Sequence, residues 1–169
     1  NWYLDGNNAS VVSSDGNKTT VQMGSGYRGD LWLARSGKGK IVNVTPADYR
    51  YFAIKVGFKS QLVPGKNKPN GCIKLEIFDD GIKKIGPEYF GTGGDANNRY
   101  EILGASEIST TEPNVLYYDL QSKYKTVTPT DWNQVFDLVQ CKFVIADFPE
   151  TAQTYDLYWI RSFKSIEEL

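Results

Sequence analysis

The sequence predicts an all-β fold, an antiparallel β-sandwich of jelly-roll type, on three observations. Short runs of alternating polar and apolar residues recur along the chain, broken by Gly, Pro, Asn and Asp. No window sustains helical periodicity over three turns. About eight or nine such runs, joined by long irregular connections, suit one two-sheet domain large enough to bury a core.

The runs can be taken in order. KTTVQMG (18–24) and GDLWLAR (29–35) come first, followed by an SGKGK turn. In YRYFAIKVGF (49–58), Phe52, Ile54, Val56 and Phe58 share one face, and Tyr49, Tyr51 and Lys55 share the other. A polar loop, LVPGKNKPNG, leads into CIKLEIFDDG (72–81), where Ile73, Leu75 and Ile77 are expected to face the core and Lys74, Glu76 and Phe78 the outside. NVLYYDL, FDLVQCKFVIADF and TYDLYWIRSF complete the set, and Trp159 in the last of these reads as core. In TDWNQVFDLV (130–139) the β-branched and aromatic content favours a strand over a helical turn. The closing SIEEL reads as the start of a helix or a linker.

Composition narrows the function. The 19 basic and 20 acidic residues are mixed along the chain, leaving a net charge of −1 and no basic stripe, so a nucleic-acid partner is not expected. No apolar run approaches the roughly 18–20 residues of a spanning helix, so membrane insertion is not expected. No basic-then-apolar leader opens the chain as given, and the sequence reads as a domain excised from a longer protein. There is no histidine, which removes the commonest general base and a favoured zinc ligand. Cys72 and Cys141 both fall in strand-like segments and read equally well as a disulfide or as two small core residues.

Catalytic motifs are wanting. The acids Glu76, Glu88, Glu101, Glu107 and Glu112 fall in no paired setting of the glycosidase kind. GTGGDANN lacks the Lys-Ser/Thr of a phosphate loop, and no nucleophile elbow occurs. Arg28-Gly29-Asp30 spells an integrin-recognition tripeptide, but it runs straight into a strand instead of a mobile loop. Sequons at Asn8, Asn17 and Asn43 matter only in a eukaryotic secretory pathway.

Binding is better supported, because four Trp, eleven Tyr and eight Phe exceed what a sandwich core needs. Leu31 and Leu33 claim the core face of their strand, which leaves Trp32 on the opposite face with Arg28 and Asp30. Tyr51 and Lys55, or Glu76 and Phe78, would extend this face if sheet order brought them near. The loop 83–104 places Tyr89 and Phe90 beside glycines and then Asn98 and Arg99, and Trp132 lies near a turn. Aromatic rings offer apolar platforms to pyranose C–H faces, while amides and charges engage the hydroxyls. The expected carbohydrate site is therefore Trp32, Arg28, Asp30, Tyr89, Phe90, Asn98, Arg99 and Trp132. The alternative is an adhesion or scaffolding domain that binds a protein through the same aromatics.

The stretches YRGDLWLAR, PADYRYFAIKVGF, NVLYYDL and CKFVIADF, with the closing YDLYWIRSFKSIEEL, resemble carbohydrate-binding modules of gut Bacteroidetes. More narrowly, they resemble the galactose-binding-like jelly rolls inserted in family-ten endoxylanases. The resemblance implies that residues 1–169 form one module of a larger enzyme. It implies non-catalytic binding of xylan or xylo-oligosaccharides by a monomer that keeps an attached hydrolase near its polymer. It further implies export to the periplasm or cell surface. No cofactor is required, although modules of this fold often hold a structural Ca2+, for which Asp79, Asp80 and Asp147 are candidates.

Overall fold

The computed structural model describes residues 3–5, 9–25, 29–34, 42–44, 48–59, 72–79, 88–90, 102–103, 109–119, 136–147 and 152–169. Among them are twelve strands, more than the eight or nine read from the sequence: β1 (Tyr3–Asp5), β2 (Ala9–Ser14), β3 (Thr19–Met23), β4 (Gly29–Ala34), β5 (Val42–Val44), β6 (Tyr51–Phe58), β7 (Cys72–Asp79), β8 (Glu88–Phe90), β9 (Ile102–Leu103), β10 (Asn114–Asp119), β11 (Phe136–Asp147) and β12 (Gln153–Phe163). A single 3-10 turn, Ile166–Glu168, follows β12 where SIEEL reads as the start of a helix. No described helix is long and apolar enough to cross a membrane.

All the pairings are antiparallel and form two sheets. One runs β1-β4-β11-β7-β8 with β5 also on β11, and the other runs β2-β3-β12-β6-β10-β9. With the edge strands β1, β2 and β9 and the three-residue β5 set aside, the orders become β4-β11-β7-β8 and β3-β12-β6-β10. These are the two four-stranded sheets of a jelly roll, in which the chain crosses repeatedly from one sheet to the other. Five strands, β1, β2, β5, β8 and β9, escaped the sequence reading because each is short or lies at an edge, where alternation has little room to register. Two of them, β8 and β9, fall within 83–104, so Tyr89 and Phe90 belong to an edge strand and not to the loop expected there.

The core follows from alternation on the second sheet. Ile54 and Val56 on β6, Leu116 on β10, Val21 and Met23 on β3 and Tyr155 on β12 are fully buried, and Phe58 nearly so. Register lines them into cross-strand rows, Val21–Tyr155–Phe58 and Ile160–Ile54–Leu116. Burying each large aliphatic side chain contributes about 1.5–3 kcal/mol. Asn114 is also buried, at the start of β10, and its side chain is satisfied. Its amide donates to the Ser109 and Val56 carbonyls at 3.0 and 3.3 Å, and its Oδ1 accepts from the Ser109 N–H at 2.8 Å. This clamp fixes where the 109–113 turn enters the sheet.

Register also settles two questions about β7 and β11. Cys141 stands opposite Ile77, five residues along β7 from Cys72. At about 3.3 Å per residue the two cysteine backbones lie roughly 17 Å apart, beyond the reach of a disulfide. Asp147 stands opposite Cys72 and Asp79 opposite Leu138, at opposite ends of the pair. Roughly 23 Å therefore separates two of the three calcium candidates, so they do not share an ion. Asp80 lies outside the described residues.

Two buried side-chain groups, the Gln153 amide Nε2 and the Tyr155 hydroxyl, have no hydrogen-bond partner among the described residues. The Tyr155 hydroxyl meets no acceptor among the described residues, and burial pushes its pKa up. Removing an unsatisfied buried hydroxyl relieves a desolvation penalty. Tyr155→Phe is therefore expected to be at least as stable as the parent in guanidinium unfolding, while Ile54→Ala loses about 2–5 kcal/mol. A loss of more than about 1 kcal/mol for Tyr155→Phe would reveal a partner for the hydroxyl.

Candidate functional site

The outer face of the second sheet is built on three central strands whose outward residues form a grid. One level is Val115–Lys55–Trp159, the next Tyr117–Ala53–Arg161, and the third Asp119–Tyr51–Phe163, read across β10, β6 and β12. Adjacent strands are about 4.8 Å apart and successive outward levels about 6.7 Å, so the grid is roughly the size of one or two sugar rings. Ala53, the small residue at its centre, is fully buried although it lies on the outward side of β6. The large side chains around it close over it.

A β-bulge in β12 supplies the aromatic content. Leu157 is opposite Val56 and Trp159 is opposite Lys55, which leaves Tyr158 as the extra residue. The bulge places Tyr158 and Trp159, consecutive in sequence, on the same outer face. The Tyr158 ring lies over Gly57, where a Cβ would meet its Cε2 at 3.5 Å. Simple alternation through Tyr155 and Leu157 would instead send Trp159 inward. The core reading of Trp159 is corrected accordingly: it is half-buried at the surface, edge-on to Phe163 with ring centroids 5.8 Å apart. Tyr51 and Tyr117 make a similar edge-on pair at 5.9 Å.

Cations are interleaved with these rings. The Arg161 guanidinium lies 5.4 Å from the Trp159 centroid, Lys55 Nζ 5.5 Å from that of Tyr158, and Arg50 5.3 Å from that of Tyr51. At the rim, Lys164 Nζ is 5.5 Å from the ring of the exposed Tyr49. Arg50 also grips Asp119 through two parallel hydrogen bonds of 2.7 and 2.6 Å, the strongest geometry for such a pair. Further along β12, Asp156 accepts from Lys18 Nζ at 2.7 Å and from Thr20 Oγ1 at 2.6 Å, and Thr154 Oγ1 donates to Gln22 Oε1 at 2.7 Å. The surface is thus an aromatic platform edged by polar groups already held in place.

The residues expected from sequence fall elsewhere. Trp32 and Asp30 are on β4 in the other sheet. Trp32 stands between Tyr3 and Lys142, with Glu76 one strand further on. Asp30 stands between Asp5 and Val144, with Lys74 and then Tyr89 continuing the row. Phe90 is opposite Ile73 on β7. These registers bring Trp32, Asp30 and Tyr89 onto one sheet, together with Glu76, whereas Tyr51 and Lys55 belong to the opposite sheet and do not extend the Trp32 face. Arg28, Asn98, Arg99 and Trp132 lie outside the described residues. Tyr158, Trp159, Arg161 and Tyr117 were missed; the signal was the run Tyr158-Trp159, which strict alternation divides between the two faces.

The whole chain, residues 1–169, matches the family described as a domain of unknown function, DUF4979. The chain belongs to the DUF4979 family. No curated protein matches the sequence. Among solved structures, PfGH50B resembles it with a TM-score of 0.54 at 8% identity, over 98% of this chain and 23% of that one. The DUF4979 chain thus spans less than a quarter of that structure. Another, described as "Structural basis for the promiscuous specificity of the carbohydrate-binding modules from the beta-sandwich super family", gives a TM-score of 0.49 at 12% identity, over 96% of this chain and 56% of that one. At 8% identity the likeness to PfGH50B is one of fold.

The Asp156 cluster yields a pH signature. Burial pushes the Asp156 carboxyl up, but the hydrogen bonds from Lys18 and Thr20 outweigh it and hold the group below the ordinary value of 3.8. A carboxyl whose pKa is depressed by folding stabilises the protein above its unfolded pKa, and that stability is lost as pH falls through the folded value. Asp156→Asn should therefore lower Tm near neutral pH, and its gap to the parent should close as pH falls from about 5 towards 2. Thermal unfolding across that range checks this; a gap independent of pH would mean that the charge is not what stabilises the cluster.

Proposed function

We propose that this domain is a non-catalytic carbohydrate-binding module that holds xylan or xylo-oligosaccharides and keeps a covalently attached glycoside hydrolase close to its polymer. The observation that carries the reading is the outer platform of β6, β10 and β12. There Trp159, Tyr158, Tyr51 and Tyr117 present half-buried rings beside Arg161, Lys55 and the Arg50–Asp119 pair. Rings seated in a rigid sheet supply apolar area for the C–H faces of pyranoses at little entropic cost, and the placed polar groups orient the hydroxyls. The resemblance to modules of family-ten endoxylanases, strongest in YDLYWIRSFKSIEEL, supports the same reading, since that segment is β12 with its bulge. Such a role belongs to an exported protein working as a monomer in the periplasm or at the cell surface.

Two faces compete for the ligand, the β12 platform and the β4 face that carries Trp32 and Asp30 with Tyr89 in the same sheet. Calorimetric titration with xylohexaose, cellohexaose and mannohexaose tests the function, and two variants locate the site. Saturable heat is expected with xylohexaose, without release of reducing sugar from xylan. Trp159→Ala is expected to weaken binding by about tenfold or more with little change in Tm, while Trp32→Ala retains affinity. Loss on Trp32→Ala alone would move the site to the β4 face. Silence with all three oligosaccharides would overturn the glycan reading in favour of a protein partner.

A further inference from the structure

The platform holds more positive charge than a neutral sugar requires. Neutral pyranoses are bound by ring faces and by hydroxyl hydrogen bonds that exchange for those of water at small net gain. Two of the cations on this side of the sheet are neutralised, Arg50 by Asp119 and Lys18 by Asp156. Lys164 lies at the rim, where Glu168 caps its backbone N–H at 2.9 Å. Lys55 and Arg161 differ: each lies over an aromatic ring, and neither has a carboxylate partner among the described residues. The surplus is local, because the chain as a whole carries one more acidic than basic residue.

Position makes the surplus specific. Lys55 is directly opposite Trp159, and Arg161 is two residues beyond Trp159 on the same face with its guanidinium over the indole. The two cations therefore flank the largest ring of the platform from the facing strand and from the next level, with backbones about 7–8 Å apart on the diagonal. A sugar stacked on Trp159 would bring a substituent of its ring within reach of both. Guanidinium and ammonium groups without a carboxylate partner form charge-assisted hydrogen bonds to oxyanions about twice as strong as neutral ones.

Resting on the carbohydrate-binding reading, we infer that the platform selects acidic glycans, with the anionic group of a Trp159-stacked chain, a uronate carboxylate or a sulfate ester, held between Lys55 and Arg161. Calorimetry separates the possibilities, using a xylo-oligosaccharide bearing one glucuronic acid branch, the unbranched oligosaccharide of equal backbone length, its sulfated form, and polyglutamate. An acidic oligosaccharide is expected to bind about tenfold tighter than the neutral one in dilute buffer, an advantage that shrinks at about 0.3 M salt. Lys55→Gln and Arg161→Gln should each bring the acidic-to-neutral ratio towards one, and Lys55→Arg should restore it. Preference for the sulfated form alone supports the inference with sulfate as the source, and preference for the branched form alone supports it with uronate. Equal affinity for acidic and neutral chains overturns the inference and leaves carbohydrate binding standing. Polyglutamate binding as tightly as the acidic glycans also overturns it. Failure of every oligosaccharide to bind overturns the carbohydrate reading itself.

Discussion

One extra residue in the central strand of a sheet governs the chemistry of this surface. β12 is pinned on both sides, by β3 through Gln153–Leu157 and by β6 along its length, so it cannot slide to relieve a mismatch. Its first half turns Tyr155 and Leu157 towards the core. Continued without interruption, the same alternation would drive Trp159, Arg161 and Phe163 inward and expose Ile160. Burying the Arg161 charge without a partner would cost several kcal/mol. The bulge at Tyr158 resets the alternation, returns Ile160 to the row of Ile54 and Leu116, and delivers Trp159, Arg161 and Phe163 to the outer face. Core and platform are consequences of the same irregularity.

The platform is also held from beneath and from its edges. Gly57 leaves space on β6 for the Tyr158 ring that lies across it: a Cβ there would make ordinary contact at 3.5 Å, and a longer side chain would have to displace the ring. The bidentate Arg50–Asp119 pair ties the entrance of β6 to the end of β10, and Asp156 ties β12 to Lys18 and to Thr20 on β3. A surface ordered in this way before contact loses little freedom when a ligand binds, which is the usual route to measurable affinity for a weakly held ligand.

Much of the fold is written in local pattern. Alternation over residues 51–58 separates Ile54, Val56 and Phe58 from Tyr51 and Lys55 as the structure does, and the absence of helical periodicity leaves a two-sheet protein. What local pattern does not carry is which strands become neighbours. Tyr51 and Lys55 looked able to extend the Trp32 face because nothing in either segment says that β4 and β6 lie in different sheets. Cys72 and Cys141 lie on neighbouring strands, yet their separation emerges only from the β7–β11 register. Trp159 was misplaced for a subtler reason: a bulge changes the meaning of every later residue in its strand without altering the apolar character of the run. The Tyr158-Trp159 doublet hints at such a reset, but a half-buried pair and a core pair share that composition.

The sheet order has a further consequence for how the protein comes into being. The three strands of the platform occupy residues 51–58, 114–119 and 153–163, and the middle strand of the wider sheet, β12, is the last of the twelve. No hairpin between sequence neighbours joins any two of the three platform strands. On a ribosome, β3 and β6 each wait with an unpaired edge until β12, the strand between them, has emerged, whereas β10 can already pair with β6 and β9. Pairings of such long sequence separation make folding slow. The Trp159 and Arg161 side of the binding surface is thus added last, onto a β6–β10 pair whose strands are made earlier.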